Sequence, residues 1–161
     1  MIGNHRRVGR VRGELKNLVR FVVAETTYSF DVQIVEEVVH PQLLTPLPHM
    51  AHGVVGVFDH RGRVTPVVDL RIRFGLEATS QRSTKWVLTR TQHGLVGFVV
   101  DRVLDVVGTS GASSQAPSVG ASDATRAVRG VTNVGGQLVF ACDENQLASI
   151  VADLELPERV D

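Results

Sequence analysis

GVFDHRGRVTPVVDL, running from Gly56 to Leu70, has a counterpart in GVTNVGGQLVFACDE, from Gly130 to Glu144. Both open Gly-Val and carry Asp59 or Asn133 three residues in. Both then pass through Gly62 or Gly136 into an apolar run that stops at Asp69 or Asp143. Apolar run, turn signal, apolar run and a capping aspartate read as strand, tight turn, strand and short helix. The pattern recurs 74 positions on, and the likeness extends upstream. SFDVQIVEEVV (Ser29–Val39) matches GFVVDRVLDVV (Gly97–Val107) at a spacing of 68, with Phe30 on Phe98, Val32 on Val100, Val35 on Val103 and Glu37 on Asp105. A loop-length difference of six residues accounts for the change of spacing.

Each half therefore reads as five strands and a helix. In the first half the strand-like runs are 18–24, 27–34, 35–39, 54–58 and 63–69. Tyr28, Phe30 and Val32 share one face of the second run by the alternation of a strand. The segment 40–53 holds Pro41, Pro46 and Pro48 and is a connection, with one helical turn after Pro48. Pro66 cannot donate to a ladder, so its strand is expected at an edge or with a bulge. Asp69 reads as an N-cap and Gly75 as the C′ residue of a short helix. The second half reads 85–91, 94–100, 101–107, 128–133 and 137–142, then Asp143 as a cap, Gln146 completing a capping box, and ENQLASIVADL as helix body. Thr109–Ala127, rich in Ser, Ala and Gly, reads as a long mobile connection.

Five short strands close readily into a small barrel, which removes exposed edges. Half a chain is too small to bury a strong core alone. The expected architecture is all-β: two packed five-stranded SH3-like β-barrels related by internal duplication, with short helices after Asp69 and at the C-terminus. Residues 1–17 are expected to be a flexible basic tail, 18–155 one domain of two intertwined subdomains meeting near residue 80, and 156–161 a charged tail.

Composition narrows the function. Seventeen basic and seventeen acidic side chains cancel in the 161 residues, which argues against a dedicated nucleic-acid binder. Cys142 is the only cysteine, so there is no internal disulfide, consistent with a reducing compartment. No apolar run approaches the length of a membrane span, and the basic N-terminus lacks the apolar stretch of a secretory signal. A cytoplasmic location is expected.

Motifs for chemistry are sparse. There is no phosphate loop, zinc-protease helix or Gly-x-Ser-x-Gly elbow. His49 and His52, with His40, His60 and Asp59 nearby, offer a possible divalent-metal site, although Pro48 disrupts the helix such a pair needs. Asp101 and Asp105 resemble an acid–base pair but have no nucleophile beside them, and they read as solvated strand residues. Two alternatives stay open: a small metal-binding or metal-dependent enzyme built on His40–His60, and a generic barrel adaptor that binds peptide, or nucleic acid through the basic tail. Glu37 stands out as a charge set in a strand-like run, and Arg61 as one set in a turn. It occupies the turn position held by Gly135 in the second half, so hairpin geometry does not call for arginine there, and a residue the fold does not need is a candidate for recognition.

The chain resembles the CheW-like adaptor proteins of bacterial chemotaxis from about Leu18 to Ala148. GVFDHRGRVTPVVDLRIRFG is similar to the family's Gly-Val-x-Asn-Leu-Arg-Gly hairpin, proline-containing strand and Asp-Leu-Arg. TYSFDVQIVEEVV is similar to its Tyr-Gly-(apolar)-x-(apolar) strand followed by Val-x-Glu-(apolar), and GLVGFVVDRVLDVV to its second-half Gly-x-(apolar)-Val-Asp-x-Val. Asp59-His60 stands where the family has Asn-Leu, and Ser29 where it has glycine. The resemblance implies two five-stranded barrels, no catalysis and no cofactor or metal. It implies as partners the regulatory domain of a CheA-type histidine kinase and the cytoplasmic tip of chemoreceptors, with recruitment to receptor arrays and no membrane insertion. By position it carries receptor- or kinase-binding roles to Val35, Glu37, Gly56, Arg61, Gly62, Gly97 and Val103, and it brings Glu37 near Arg61.

Overall fold

The computed structural model describes residues 16–109, 114–115, 127–157 and 159–160. Among them the strands are β1 (Lys16–Val23), β2 (Thr26–Asp31), β3 (Val35–Val39), β4 (Val54–His60), β5 (Arg63–Asp69), β6 (Lys85–Thr91), β7 (Gly94–Val100), β8 (Arg102–Thr109), β9 (Ser114–Gln115), β10 (Val128–Val134) and β11 (Gln137–Cys142). Helix α1 (Leu70–Arg73) follows β5, and α2 (Glu144–Leu147) follows β11 and runs into a 3₁₀ turn, Ala148–Val151. One sheet has the order β8-β1-β2-β11-β10-β9 and the other β3-β6-β7-β5-β4.

The sheets do not follow the two halves of the sequence. The first-half hairpin β1–β2 lies in the sheet of β8, β10 and β11, while the second-half hairpin β6–β7 lies with β3, β4 and β5. The halves exchange hairpins reciprocally, so residue 80 divides the sequence repeats but not the sheets. The exchange makes one pair in each sheet parallel, β5 with β7 and β11 with β2. Matching irregularities betray the duplication: β4 slips register at Val54/Gly56 and β10 at Val128/Gly130, and Glu36 is skipped against β6 as Leu104 is against β1.

Both sheets contribute to one core. Phe21, Phe30, Val68, Leu70, Val87, Phe98 and Leu147 are buried in a single cluster. The repeat-related Phe30 and Phe98 touch each other, with ring centroids 5.4 Å apart. Burying each such side chain is worth about 1.5–3 kcal/mol, and neither half has this interior without the other. A second cluster, Phe58, Val67, Trp86 and Leu88, lies on the opposite face of the β3–β7 sheet.

Several local expectations are revised. Strand β2 ends at Asp31, whose carboxylate accepts the Gln33 N–H at 2.9 Å and starts a 3₁₀ turn, Val32–Ile34. Pro66 sits in an interior strand. Val57 opposite it directs both its N–H and C=O to Thr45 (2.9 and 2.8 Å), and the parallel ladder to β7 begins only at Val67. The absent donor is therefore required by neither neighbour. Pro48 and His49 form a turn rather than helix. Asp69 and Asp143 cap α1 and α2 as expected, and Gly75 has φ +83° just past Phe74, the C-cap. The capping box is only half made: the Asp143 N–H donates to the Ala127 carbonyl at 2.6 Å, and α2 is one turn long. Lys16 and Asn17 belong to β1, while residues 1–15 of the expected tail lie outside the described residues. Within the expected 109–127 connection, Ser114–Gln115 pairs with β10, and much of the remainder lies outside the described residues.

Candidate functional site

The β4–β5 hairpin turns through Arg61 and Gly62 at φ +52° and +85°, the two left-handed positions of a type I′ turn. The Asp59 carboxylate accepts the Gly62 N–H at 2.7 Å, and Asn133 does the same for Gly136 at 2.9 Å. The shared Asp/Asn thus has a turn-forming role, and the glycines at Gly135 and Gly136 occupy the same φ region. Arg61 does so with a side chain, which left-handed backbone disfavours.

Strand β3 supplies the acidic half of the site. Adjacent strand residues normally point to opposite faces, but the bulge that skips Glu36 lets both Glu36 and Glu37 reach the hairpin. Arg61 Nη2 lies 3.0 Å from Glu37 Oε1, and Arg63 Nη2 donates to Glu36 Oε2 at 2.7 Å. Arg90 on β6 lies 3.9 Å from Glu36 Oε1 and donates to the Gln33 carbonyl. His60, only 6% exposed, puts Nε2 3.3 Å from Glu36 and 3.7 Å from Glu37. Neither approach has hydrogen-bond geometry, so the imidazole is held by packing, with Phe58 beside it at 5.9 Å. Strands β3 and β4 are opposite edges of their sheet, so this charge cluster joins two edges that the ladder leaves apart.

Of the residues singled out from sequence, Glu37, Arg61 and Gly62 come together here. Val35 is partly buried against the shared core, as is Val103 in the other sheet. Gly56 is buried at φ +147°, and a Cβ there would meet the Thr45 carbonyl oxygen at 2.8 Å. Gly97 is buried, and its Cβ would meet Leu88 Cδ2 at 3.1 Å. Sequence reasoning did not single out Glu36, Arg63 or Arg90, and it considered His60 only as a metal ligand, not as a neighbour of these glutamates. Two signals were available: consecutive acids in VEEVV require a bulge or an inward charge, and His60 follows Phe58 at the period of one strand face.

The other candidates resolve differently. Asp101 is a tie between the sheets rather than a solvated strand residue. It makes two 2.8 Å bonds with Arg71 and accepts the Ala24 N–H at 2.8 Å. Burial alone pushes the Asp101 carboxyl up, but Arg71 and the Ala24 N–H outweigh it and hold the group below its ordinary value. In the other half the repeat-equivalent contact is direct, with the Gln92 N–H donating to Asn145 at 2.7 Å. Asp105 pairs with Arg20 at 2.7 and 2.8 Å. His40, His49 and His52 are exposed, and no group of three metal-capable side chains forms among the described residues. Cys142 is buried, and burial pushes its thiol far up. Among the described residues no helix is long and apolar enough to cross a membrane.

A family described as the CheW-like domain matches residues 17–152. The chemotaxis protein CheW of Thermotoga maritima is 31% identical over 144 residues, covering 89% of this chain and 92% of its own length. That of Treponema pallidum is 29% identical over 153 residues, covering 91% and 90%. Protein FrzA of Myxococcus xanthus is 32% identical over 117 residues, covering 72% and 73%. Among solved structures, the scaffolding protein TtCheW from Thermoanaerobacter tengcongensis superposes with a TM-score of 0.74 at 26% identity, covering 82% of this chain and 86% of that one.

Proposed function

The chain belongs to the CheW-like family, and from that premise we propose that it is a non-enzymatic adaptor coupling chemoreceptors to a CheA-type histidine kinase in a signalling array. It works in the cytoplasm, recruited to receptor arrays, without cofactor. The observation that carries this reading is the Glu37–Arg61 pair, 3.0 Å across, with Arg61 73% exposed at a turn position the fold would fill with glycine. We take Glu37, Arg61 and Gly62 as the contact surface and Val35 as the strand residue that supports it. Gly56 and Gly97 serve binding by letting backbone and strands approach, and Val103 is the repeat-related counterpart of Val35 on β8.

We further infer that each sheet closes as an SH3-like barrel. Arg61 reaches Glu37 from the far edge of the sheet, and Phe58 on β4 stacks edge-on against Trp86 on β6 at 5.0 Å. A closed barrel presents its turns as rigid recognition surfaces. Coupling between two such surfaces is a free-energy link, typically about 1–3 kcal/mol.

Arg61→Ala tests the assignment, using pull-down with a chemoreceptor tip fragment and with the kinase regulatory domain. A folded variant that loses at least one partner is the expected result. A variant that binds both as the parent does removes the site.

A further inference from the structure

The C-terminal segment returns to the site. Leu154, Leu156 and Pro157 face Val64, Pro66 and Leu95 across a cleft of about 530 Å³. It opens where β5 and β7 have not yet begun to pair. Beyond it, Arg159 forms an antiparallel bridge with Arg63, and the Val160 N–H donates to the Gly62 carbonyl at 2.8 Å. Arg61, Arg63 and Arg159 then line one depression of about 420 Å³.

Two arginines directly opposite across a bridge repel each other, a cost that an anion bound between them would lower. The nearby carboxylates are engaged, Glu37 with Arg61, Glu36 with Arg63 and Arg90, and Asp59 with the Gly62 N–H. Among the described residues no carboxylate pairs with Arg159. Three guanidiniums line the depression, a group suited to gripping a carboxylate with two parallel bonds, and the backbone fixed at Gly62 borders it.

We propose that the C-terminal segment completes an arginine pocket at the β4–β5 turn, which takes an acidic side chain from the protein docked there. This rests on the reading of the Arg61 turn as the recognition surface and names the chemistry its partner must carry. Arg159, 98 positions from Arg61 in the sequence, becomes a specificity residue of the same surface.

The test uses the full chain, ¹⁵N-labelled and titrated with an acetylated hexaglutamate peptide, with hexaglutamine as control. Saturable shifts at the Gly62, Arg63 and Val160 amides are expected with the acidic peptide only. In Arg159→Glu the dissociation constant rises at least about fivefold, the scale of one exposed charge contact. Arg159→Gln, which keeps the segment's length and polarity, weakens binding less. Equal response to both peptides, or undiminished binding by both Arg159 variants, overturns the pocket. So does Arg159-dependent binding to phosphatidylglycerol vesicles without binding to the peptide, since that assigns the pocket to a lipid surface. No receptor or kinase enters this titration, so the pocket can fail while Arg61→Ala still abolishes partner binding, and the reverse.

Discussion

Arg61 holds a left-handed backbone at φ +52°, which costs a residue other than glycine about 1–2 kcal/mol. Its pairing with Glu37 is exposed on the arginine side, and such pairs return about 0–1 kcal/mol. The pair does not offset the backbone, so stability is not what Arg61 supplies. Arg61→Gly is expected to leave stability unchanged or to raise it by up to about 1 kcal/mol in urea melts, while partner binding is lost. A clear loss of stability would make Arg61 structural. Asp101 makes the opposite case. Its Arg71 and Ala24 bonds join segments of both sheets, and Asp101→Asn is expected to cost about 1.5–3 kcal/mol at neutral pH. The folded carboxyl titrates below its unfolded value. Its contribution is therefore complete above the unfolded pKa and disappears as pH falls through the folded one. Urea midpoints of parent and variant are expected to converge in that acid range.

At the scale of elements, the bulges and caps repeat because each half needs the same bends. Gly56 makes one of them, bringing the connection at Thr45 against β4 through 2.8 and 2.9 Å backbone bonds. Gly56→Ala combines a disfavoured φ with a backbone clash at Thr45 and is expected to cost about 1–3 kcal/mol. Gly97→Ala is crowded only by the end of the Leu88 side chain, with Val67 and the Pro66 carbonyl at ordinary contact distance; Leu88 can turn away, so the loss in the same chemical melt is expected to be smaller. The reverse order would mean that the Gly97 approach, rather than the bulge, limits the fold. The comparison also separates roles: lost binding in Gly56→Ala reflects a damaged hairpin, whereas lost binding in a stable Gly97→Ala reflects altered spacing of β6 and β7.

The whole molecule is an exchange of hairpins between two copies of one pattern. Each sheet needs strands from both sides of residue 80, and Phe30 meets Phe98 only when both halves are present. Fragments 1–80 and 81–161 are each expected to be unfolded alone and, mixed in equal amounts, to recover the β-sheet circular dichroism of the intact chain. Independent folding of either fragment would show that a half can close its own barrel and that the exchange is optional.

Much of this was legible in the residues. The duplication, the turns at Asp59–Gly62 and Asn133–Gly136, and the caps at Asp69 and Asp143 followed from local pattern, while the nearness of Glu37 to Arg61 came only from the family resemblance. The local features depend on strand period, turn chemistry and capping, which act over a few neighbouring positions. Which sheet a hairpin joins was not legible, because the two halves are alike and pairing within or across them satisfies the same alternation. Tertiary structure decided it. Only Asp101 separates β7 from β8, too short a link for a tight hairpin, so the chain passes from one sheet into the other. The positions of Glu36, His60 and Arg159 were decided there too, since a bulge on β3, the opposite edges β3 and β4 and a returning C-terminal segment bring together groups that no sequence spacing relates.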